Sequence, residues 1–262
     1  MIDWTALIAD GMRLPAGLTA ADALAELVEL LRSPDPQIRD ELAATAISLL
    51  LDDLDEDARV RLGDTMAARL TAPEIYERSF PPLILAGLVR RGTWRAGWLE
   101  AFEAWYPAEQ DLRGHDPELG WLHAFAHGAD LLGAFGRHPA VAPERMLRLA
   151  AARLLAPTGY VLRDQEDDRL AYALALTLTR EELGAEESVA WLGLIAEEFE
   201  RGEPGPVPPF ATNTMRTLRM LYLCADRGVR VRGREEVVPV RHRDAVKEEL
   251  ARVLGMTFPM VG

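Results

Sequence analysis

The chain has 262 residues, of which 49% are hydrophobic and 27% charged, and 42 Asp and Glu against 29 Lys and Arg give a formal net charge of −13. This composition is typical of a globular protein with a substantial core, and the negative charge disfavours binding to nucleic acid or to anionic membranes. The single cysteine, Cys224, excludes an internal disulfide. Together with an N-terminal segment that lacks a basic region before an apolar run, it predicts a cytoplasmic protein.

Apolar residues recur at three- and four-residue spacing along almost the whole chain, which predicts a mostly helical protein. Thr19 is placed to cap the first long helix, and Asp35 followed by Pro36 is typical of the start of the next. Further helices are predicted at 56–70, 81–91, 95–105, 117–135, 143–155, 165–179, 186–201, 209–226 and 241–254. One segment with strand-like alternation, 229–240, predicts a short β-hairpin around Gly233.

The predicted helices group into pairs, which indicates a repeat architecture. The second helix of each pair begins at Pro36, Pro81, Pro117, Gln165 and Pro209, at intervals of 36 to 48 residues. HEAT and armadillo repeats have periods of about 40 to 47 residues. We therefore expect an all-α fold, a HEAT- or armadillo-like α-α superhelix of about five helical hairpins, formed as a single domain over residues 1–262. An irregular helical bundle is the alternative fold.

Four segments share a pattern with a known family: DPQIRDELA (35–43), ERSFPPLILA (77–86), DLRGHDPELGWLHAFAHGADLL (111–132) and DQEDDRLAYALAL (164–176). The third is the most specific, with Asp-x-Arg-Gly followed by Gly-Trp-x-His-x-x-x-His-x-x-Asp. On these segments the chain resembles a family of bacterial proteins defined only as a domain of unknown function and related to HEAT-like helical repeats. The resemblance implies the HEAT-like fold and the signature, but it implies no particular reaction. His115 departs from the residue expected after Arg-Gly and supplies an extra imidazole.

The signature segment is also the best candidate for a functional surface. If 117–135 is one helix, His123, His127 and Asp130 fall within a stripe about 60° wide, opposite a packing stripe that includes Trp121 and Phe125. Small residues flank the polar ones, which suits a face approached by a ligand or by another helix. Second helices line the concave side of such solenoids, so we expect the stripe to lie in a central groove. The predicted groove residues are Asp111, Arg113, Trp121, His123, His127, Asp130 and Asp168.

Two functions are open at this point. The first is a binding or scaffolding module whose groove takes a peptide, a protein or a small polar ligand, with no cofactor. The alternative is a metal-dependent hydrolase in which His123, His127 and Asp130 hold a divalent metal and Asp168 acts as general base. Further candidate metal ligands in that case are Asp111, His115, Glu166, Asp167 and Asp168. No catalytic residue is assigned, and whether the chain is an enzyme stays open.

Three other features have simple structural explanations. Cys224 has apolar neighbours and no adjacent cation, so we interpret it as a packing residue rather than a nucleophile. The carboxylates at 166–168 begin a predicted helix, where they favour the helix dipole. The arginine-rich segment 227–243 could hold one phosphate or an acidic patch of a partner, although a solvated surface segment is the simpler interpretation.

Overall fold

The computed structural model describes residues 2–203, 205–258 and 260. The protein is mostly helical with two short strand pairs, which confirms the predicted all-α class and the hairpin within 229–240. None of the described helices has the length and apolar character needed to cross a membrane. The chain divides into two compact units, Met1–Trp105 with Asp111–Leu131 and Tyr106–Gln110 with Leu132–Gly262. The superhelix and the single repeat domain over 1–262 stay predictions.

The first unit contains seven α-helices, a π-helical segment, a strand pair and the start of an eighth helix among its described residues. These are α1 (Trp4–Ala9), α2 (Ala20–Leu30), the π-helical segment (Gln37–Ala44) that continues into α3 (Thr45–Leu50), α4 (Glu56–Arg69), α5 (Ile75–Arg78), α6 (Pro81–Arg90), α7 (Ala96–Trp105), β1 (His115–Asp116), β2 (Gly120–Trp121) and α8 (Ala124–Arg137). The predicted cap at Thr19 is confirmed, because its hydroxyl accepts from the Asp22 amide while the Asp22 carboxylate accepts from the Thr19 amide.

Tight packing between α4 and α7 forms part of the core of this unit. The indole of Trp98 lies against Gly63, so closely that a Cβ at position 63 would be 2.0 Å from the ring. The indole N–H of Trp98 donates to the Asp64 carboxylate at 2.7 Å. A buried tryptophan therefore has both its apolar ring and its one donor satisfied.

The second unit holds the remainder of α8 and the C-terminal helices. These are α9 (Pro143–Leu155), α10 (Glu166–Thr177), α11 (Ala185–Glu200), α12 (Pro209–Arg227), β3 (Val229–Arg230), β4 (Val237–Val238) and α13 (Arg243–Thr257). Close approach of α8 to α10 depends on Gly136, where a Cβ would be 2.0 Å from the Thr177 hydroxyl oxygen. The hydroxyl of Tyr172 on α10 donates to the Arg230 carbonyl at 2.6 Å and so fixes β3 against that helix.

Arginine side chains fasten the ends of helices throughout the protein. At the junctions given next, a guanidinium donates to backbone carbonyls in the last turn of an earlier helix or in the loop after it, where no helical partner is available. The donors are Arg39 (to Ser33 and Pro34), Arg59 (to Leu51 and Asp52), Arg78 (to Ala72 and Pro73), Arg153 (to Tyr106, Pro107 and Glu109) and Arg180 (to Gly136, His138 and Val141). These bonds hold each connection on the segment that supplies the arginine.

Candidate functional site

The signature segment folds as a β-hairpin followed by a helix. His115 pairs with Trp121 and Asp116 with Gly120 in antiparallel register. The turn is closed by the Asp116 carboxylate, whose Oδ1 accepts from the amides of Glu118 and Leu119 at 2.9 and 3.0 Å. The predicted helix 117–135 is therefore wrong over its first seven residues, because a turn with its own side-chain acceptor replaces the first helical turns there.

Arg113 is the centre of an ion-pair cluster at the base of the hairpin. Its guanidinium donates to both oxygens of Asp111, at 2.9 and 2.6 Å, and also to Asp116. Burial raises the pKa of Asp111, but the hydrogen bonds and charge of Arg113 outweigh it, so the pKa of this carboxyl lies below its ordinary value. The Arg113 pKa is raised by the same pairing, chiefly by the hydrogen bond to Asp111. Two of the predicted groove residues, Asp111 and Arg113, therefore act together to fix the hairpin.

Arg39 holds the other side of the hairpin and was missed by the sequence analysis as a site residue. Its fully buried guanidinium donates to the carbonyls of Leu119 and Trp121 at 2.7 and 3.1 Å. It also forms an ion pair with Asp40 at 2.6 Å. Burial raises the pKa of Asp40 to about 6 even though the hydrogen bond and charge of Arg39 lower it.

Gly120 lies against the residue immediately before the π-helical segment. Its φ of +70° lies in the left-handed region, and a Cβ there would be 2.6 Å from the Cβ of Pro36. Both the backbone conformation and the contact therefore require glycine. The hairpin is seated on Pro36 and Asp40, with Arg39 bonded across the same junction.

Five rings form a continuous row from the surface into the core of this unit. Trp121 stacks on His123 with ring centroids 4.4 Å apart and planes 5° from parallel, and His115 contacts Trp121 edge-on at 4.9 Å. His123 lies 5.7 Å from His127, which meets Phe80 edge-on at 4.9 Å. Exposure falls along the row, from 45% at Trp121 to 5% at His127. The expectation that Trp121 belongs to the packing stripe of a helix is wrong, because the residue lies on β2 and is exposed.

The two histidines do not share a helix. His123 has a φ of +53° and directly precedes α8, and its carbonyl accepts from the amide of His127 at 2.8 Å. His127 lies on α8 with Nδ1 2.8 Å from the Ser79 carbonyl oxygen. Since a carbonyl only accepts, Nδ1 of His127 carries the proton, and Nε2 has no proton when the ring is neutral. The predicted stripe is thus replaced by two imidazole rings at the start of α8, with centroids 5.7 Å apart and planes tilted by 58°.

Asp130 and Asp168 complete the set of predicted site residues. Asp130 is half-buried on α8, and its backbone carbonyl accepts from Arg90 at 3.4 Å. Asp168 belongs to the second unit, whereas the other six predicted groove residues belong to the first. Within the described residues, no group of three or more His, Cys, Asp and Glu side chains is arranged to hold a metal ion. The metal site of His123, His127 and Asp130 remains a prediction from the sequence.

The acidic start of α10 in the second unit is built into its surroundings. Glu166 and Asp167 are buried, and burial raises the pKa of both carboxyls. Asp167 pairs with Arg216 at 2.6 Å, and Glu166 accepts from the Asp164 amide at 2.9 Å. Burial, followed by the charge of Asp168, raises the pKa of the Cys224 thiol. That shift disfavours a thiolate nucleophile and agrees with a packing interpretation of the half-buried cysteine.

Comparison with known proteins gives a family and no further relative. No curated protein and no solved structure matches the chain. Residues 68–223 match the family described as "Protein of unknown function (DUF2785)", and this stretch contains the hairpin, Arg113, Trp121 and all three histidines of the ring row. Because the match covers more than half of the chain, the protein belongs to the DUF2785 family.

Proposed function

We propose that the protein is a binding module that takes a peptide or protein partner at the Trp121 surface, which consists of Asp111, Arg113, His115, Trp121 and His123. The observation that carries the proposal is a large aromatic side chain, Trp121, that is 45% exposed and yet held in a fixed position. Tryptophan is the residue type most enriched among the residues that dominate binding energy at interfaces. A rigid aromatic anchor also loses little conformational entropy when a partner binds.

Contacts on three sides fix Trp121. His123 stacks on the Trp121 ring and His115 contacts the ring edge-on. The Arg39 guanidinium fixes the Trp121 backbone by donating to its carbonyl oxygen. The Arg113 cluster holds the strand that pairs with β2. A surface that is ordered before a partner arrives binds with a smaller entropic cost than one that must be ordered.

The charge around Trp121 favours a partner with a basic side chain. Residues 111–121 contain three carboxylates (Asp111, Asp116 and Glu118) and one guanidinium (Arg113), within a chain of net charge −13. Since Arg113 already pairs with Asp111 and Asp116, an arginine or lysine of the partner gains from the net negative charge of this segment and from a cation–π contact with the indole, the strongest aromatic partner for a cation. The proposed ligand is therefore a segment that presents Arg or Lys next to apolar residues.

Selection from a random heptapeptide library tests the proposal. The immobilised protein enriches peptides with Arg or Lys, and synthetic versions of these are then titrated by calorimetry. Trp121→Ala should weaken their binding by at least about 30-fold, the threshold of about 2 kcal/mol for a dominant contact. Leu49→Ala is the matched control, because Leu49 is a similarly exposed apolar residue (44%) of the same unit and lies outside this surface.

Two outcomes contradict the proposal. One is that no peptide is enriched by the wild-type protein. The other is that enriched peptides bind wild type and Trp121→Ala equally well, provided that both proteins give the same circular dichroism spectrum and melting temperature. Binding that weakens for Trp121→Ala and stays unchanged for Leu49→Ala supports it.

A further inference from the structure

The second unit presents a segment of the kind that the Trp121 surface is proposed to bind. Residues 227–243 contain six arginines and two glutamates, and so carry a net charge of +4 within a chain of net charge −13. The central part of this segment, residues 229–238, is named the arginine hairpin here and consists of β3, β4 and the turn between them. Residues 111–121, with three carboxylates and one guanidinium, carry a net charge of −2. The two segments are therefore complementary in charge.

The arginine hairpin is held in place on α10 and at the C-terminal end of that helix. The Tyr172 hydroxyl donates to the Arg230 carbonyl at 2.6 Å, and the Arg241 amide, beyond β4, donates to the Leu178 carbonyl at 3.0 Å. Val229, at the start of the hairpin, is buried. The hairpin is thus ordered before a partner arrives, as the Trp121 surface is, and the association of two ordered surfaces has a smaller entropic cost.

The side chains of the arginine hairpin are accessible to a partner. Arg230, Arg232 and Arg234 are exposed, and within the described part of the chain their guanidinium groups form no hydrogen bond and no ion pair. Arg230 lies directly opposite Val237 in the register of β3 and β4, and Val237 is 46% exposed. Directly opposite residues of an antiparallel pair have their side chains on the same face. The hairpin therefore presents arginine next to an exposed apolar residue, which is the pattern proposed for the ligand of the Trp121 surface.

The arginine hairpin also borders an open depression that is large enough for an indole. Its volume is about 520 Å³, and its lining comprises Arg234, Glu235, Glu236, Val237, Val238 and Pro239. Pockets that take small organic ligands have volumes of about 300 to 1,000 Å³, so an exposed tryptophan side chain fits in this space. Three of the lining residues are apolar, and Arg234 supplies a guanidinium for a cation–π contact with the ring.

We propose that the arginine hairpin of one copy of this chain binds the Trp121 surface of a second copy, with the Trp121 indole in the depression beside Arg234. The inference rests on the proposed function, because it names the basic partner that the Trp121 surface takes. Since the two surfaces differ, the contact is head-to-tail, and each copy in a dimer keeps one surface for a further copy. Repulsion between the net charges of two copies is screened beyond about 8 Å at physiological ionic strength, so the contact depends on the local charges.

Sedimentation velocity of the full chain at physiological ionic strength, over a roughly hundred-fold range of concentration, tests the contact. We expect the wild type to form dimers and larger species as its concentration rises. Trp121→Ala and the triple variant Arg230→Gln/Arg232→Gln/Arg234→Gln should each associate at least about ten-fold more weakly. An equimolar mixture of these two variants should form a dimer and nothing larger, because the first variant keeps the arginine hairpin and the second keeps the Trp121 surface.

Arg61→Gln/Arg148→Gln/Arg219→Gln is the matched control, because it removes the same charge from three exposed arginines that have no ion pair among the described residues. This control should associate as the wild type does. A peptide selected on the Trp121 surface should return the wild type to the monomer, a test that needs no variant.

The proposal is overturned if both triple variants associate equally, if the mixture of folded variants gives no dimer, or if a saturating selected peptide leaves the wild type associated. A wild type that stays monomeric and still binds selected peptides through Trp121 overturns this proposal alone. A peptide library from which nothing is enriched overturns instead the function on which it rests.

Discussion

Replacing Arg39 with methionine removes the guanidinium that joins the π-helical segment to the hairpin. The side chain is fully buried and donates to four carbonyls, of which those of Leu119 and Trp121 lie in the hairpin. Methionine keeps much of the apolar stem but leaves the Asp40 carboxylate without its counter-charge. Removing one partner of a buried ion pair costs about 3 to 5 kcal/mol, so we expect Arg39→Met to lower the free energy of unfolding by that amount.

Urea unfolding followed by tryptophan fluorescence measures this loss in the relevant unit, because five of the six tryptophans lie in the first unit. Arg39→Met/Asp40→Asn also removes the stranded carboxylate and should be about 1 to 2 kcal/mol more stable than Arg39→Met. The control is Arg95→Met, which breaks the exposed pair of Arg95 with Asp64 at 3.0 Å and should cost less than about 1 kcal/mol. A loss below about 1 kcal/mol for Arg39→Met, or a double variant no more stable than the single one, would refute the reasoning.

Three further predictions concern the same unit. The Asp40 pKa of about 6 lies above its ordinary value of 3.8, so the folded state binds this proton more tightly and the free energy of unfolding falls by up to about 3 kcal/mol as pH rises from about 4 to 6. Asp40→Asn should abolish this decrease in urea unfolding measured across pH, and an unchanged pH dependence would contradict the assignment. Gly120→Ala should lower the free energy of unfolding by about 2 kcal/mol or more, because it combines a φ of +70° with a 2.6 Å approach of the new Cβ to Pro36. A change under about 0.5 kcal/mol in urea unfolding would show that the hairpin does not pack against Pro36 at this position. Gly63→Ala should lower the free energy of unfolding by at least about 3 kcal/mol, because the added methyl group would be 2.0 Å from the ring of Trp98. Gly97→Ala, where nothing lies within 4 Å, should be neutral or stabilising by up to about 1 kcal/mol, and equal changes in the melting temperatures of the two variants would contradict the packing argument.

Local signals predicted most of the helices. The capping box at Thr19 and the prolines that begin α6, α9 and α12 at positions 81, 143 and 209 mark starts that the structure shares. These signals succeed because they depend on backbone groups within one turn of the residue concerned. The hairpin of β3 and β4 was predictable for a similar reason, since alternation on both sides of Gly233 is a short-range pattern.

The sequence did not predict the geometry of the signature segment. Apolar periodicity runs on through Trp121 and Leu122 and so suggested a longer helix, whereas Asp116, Pro117 and Gly120 are typical turn residues that could have indicated the hairpin. No local signal could reveal Arg39, because its hydrogen-bond partners in the hairpin lie 80 and 82 residues away in the chain. Contacts of that range are set by tertiary packing.

The arginines that fasten the helix ends have a consequence for how this protein can change over time. Their acceptors are backbone carbonyls, which every amino acid supplies, so residues in the receiving loops can be exchanged freely without loss of the bond. The arginine donors cannot be exchanged in this way. Lysine lacks the planar fork with which Arg39 reaches the carbonyls of Ser33 and Pro34 through one terminal nitrogen and those of Leu119 and Trp121 through the other. Mutational tolerance at these junctions should therefore be one-sided, broad in the loop and narrow at the arginine.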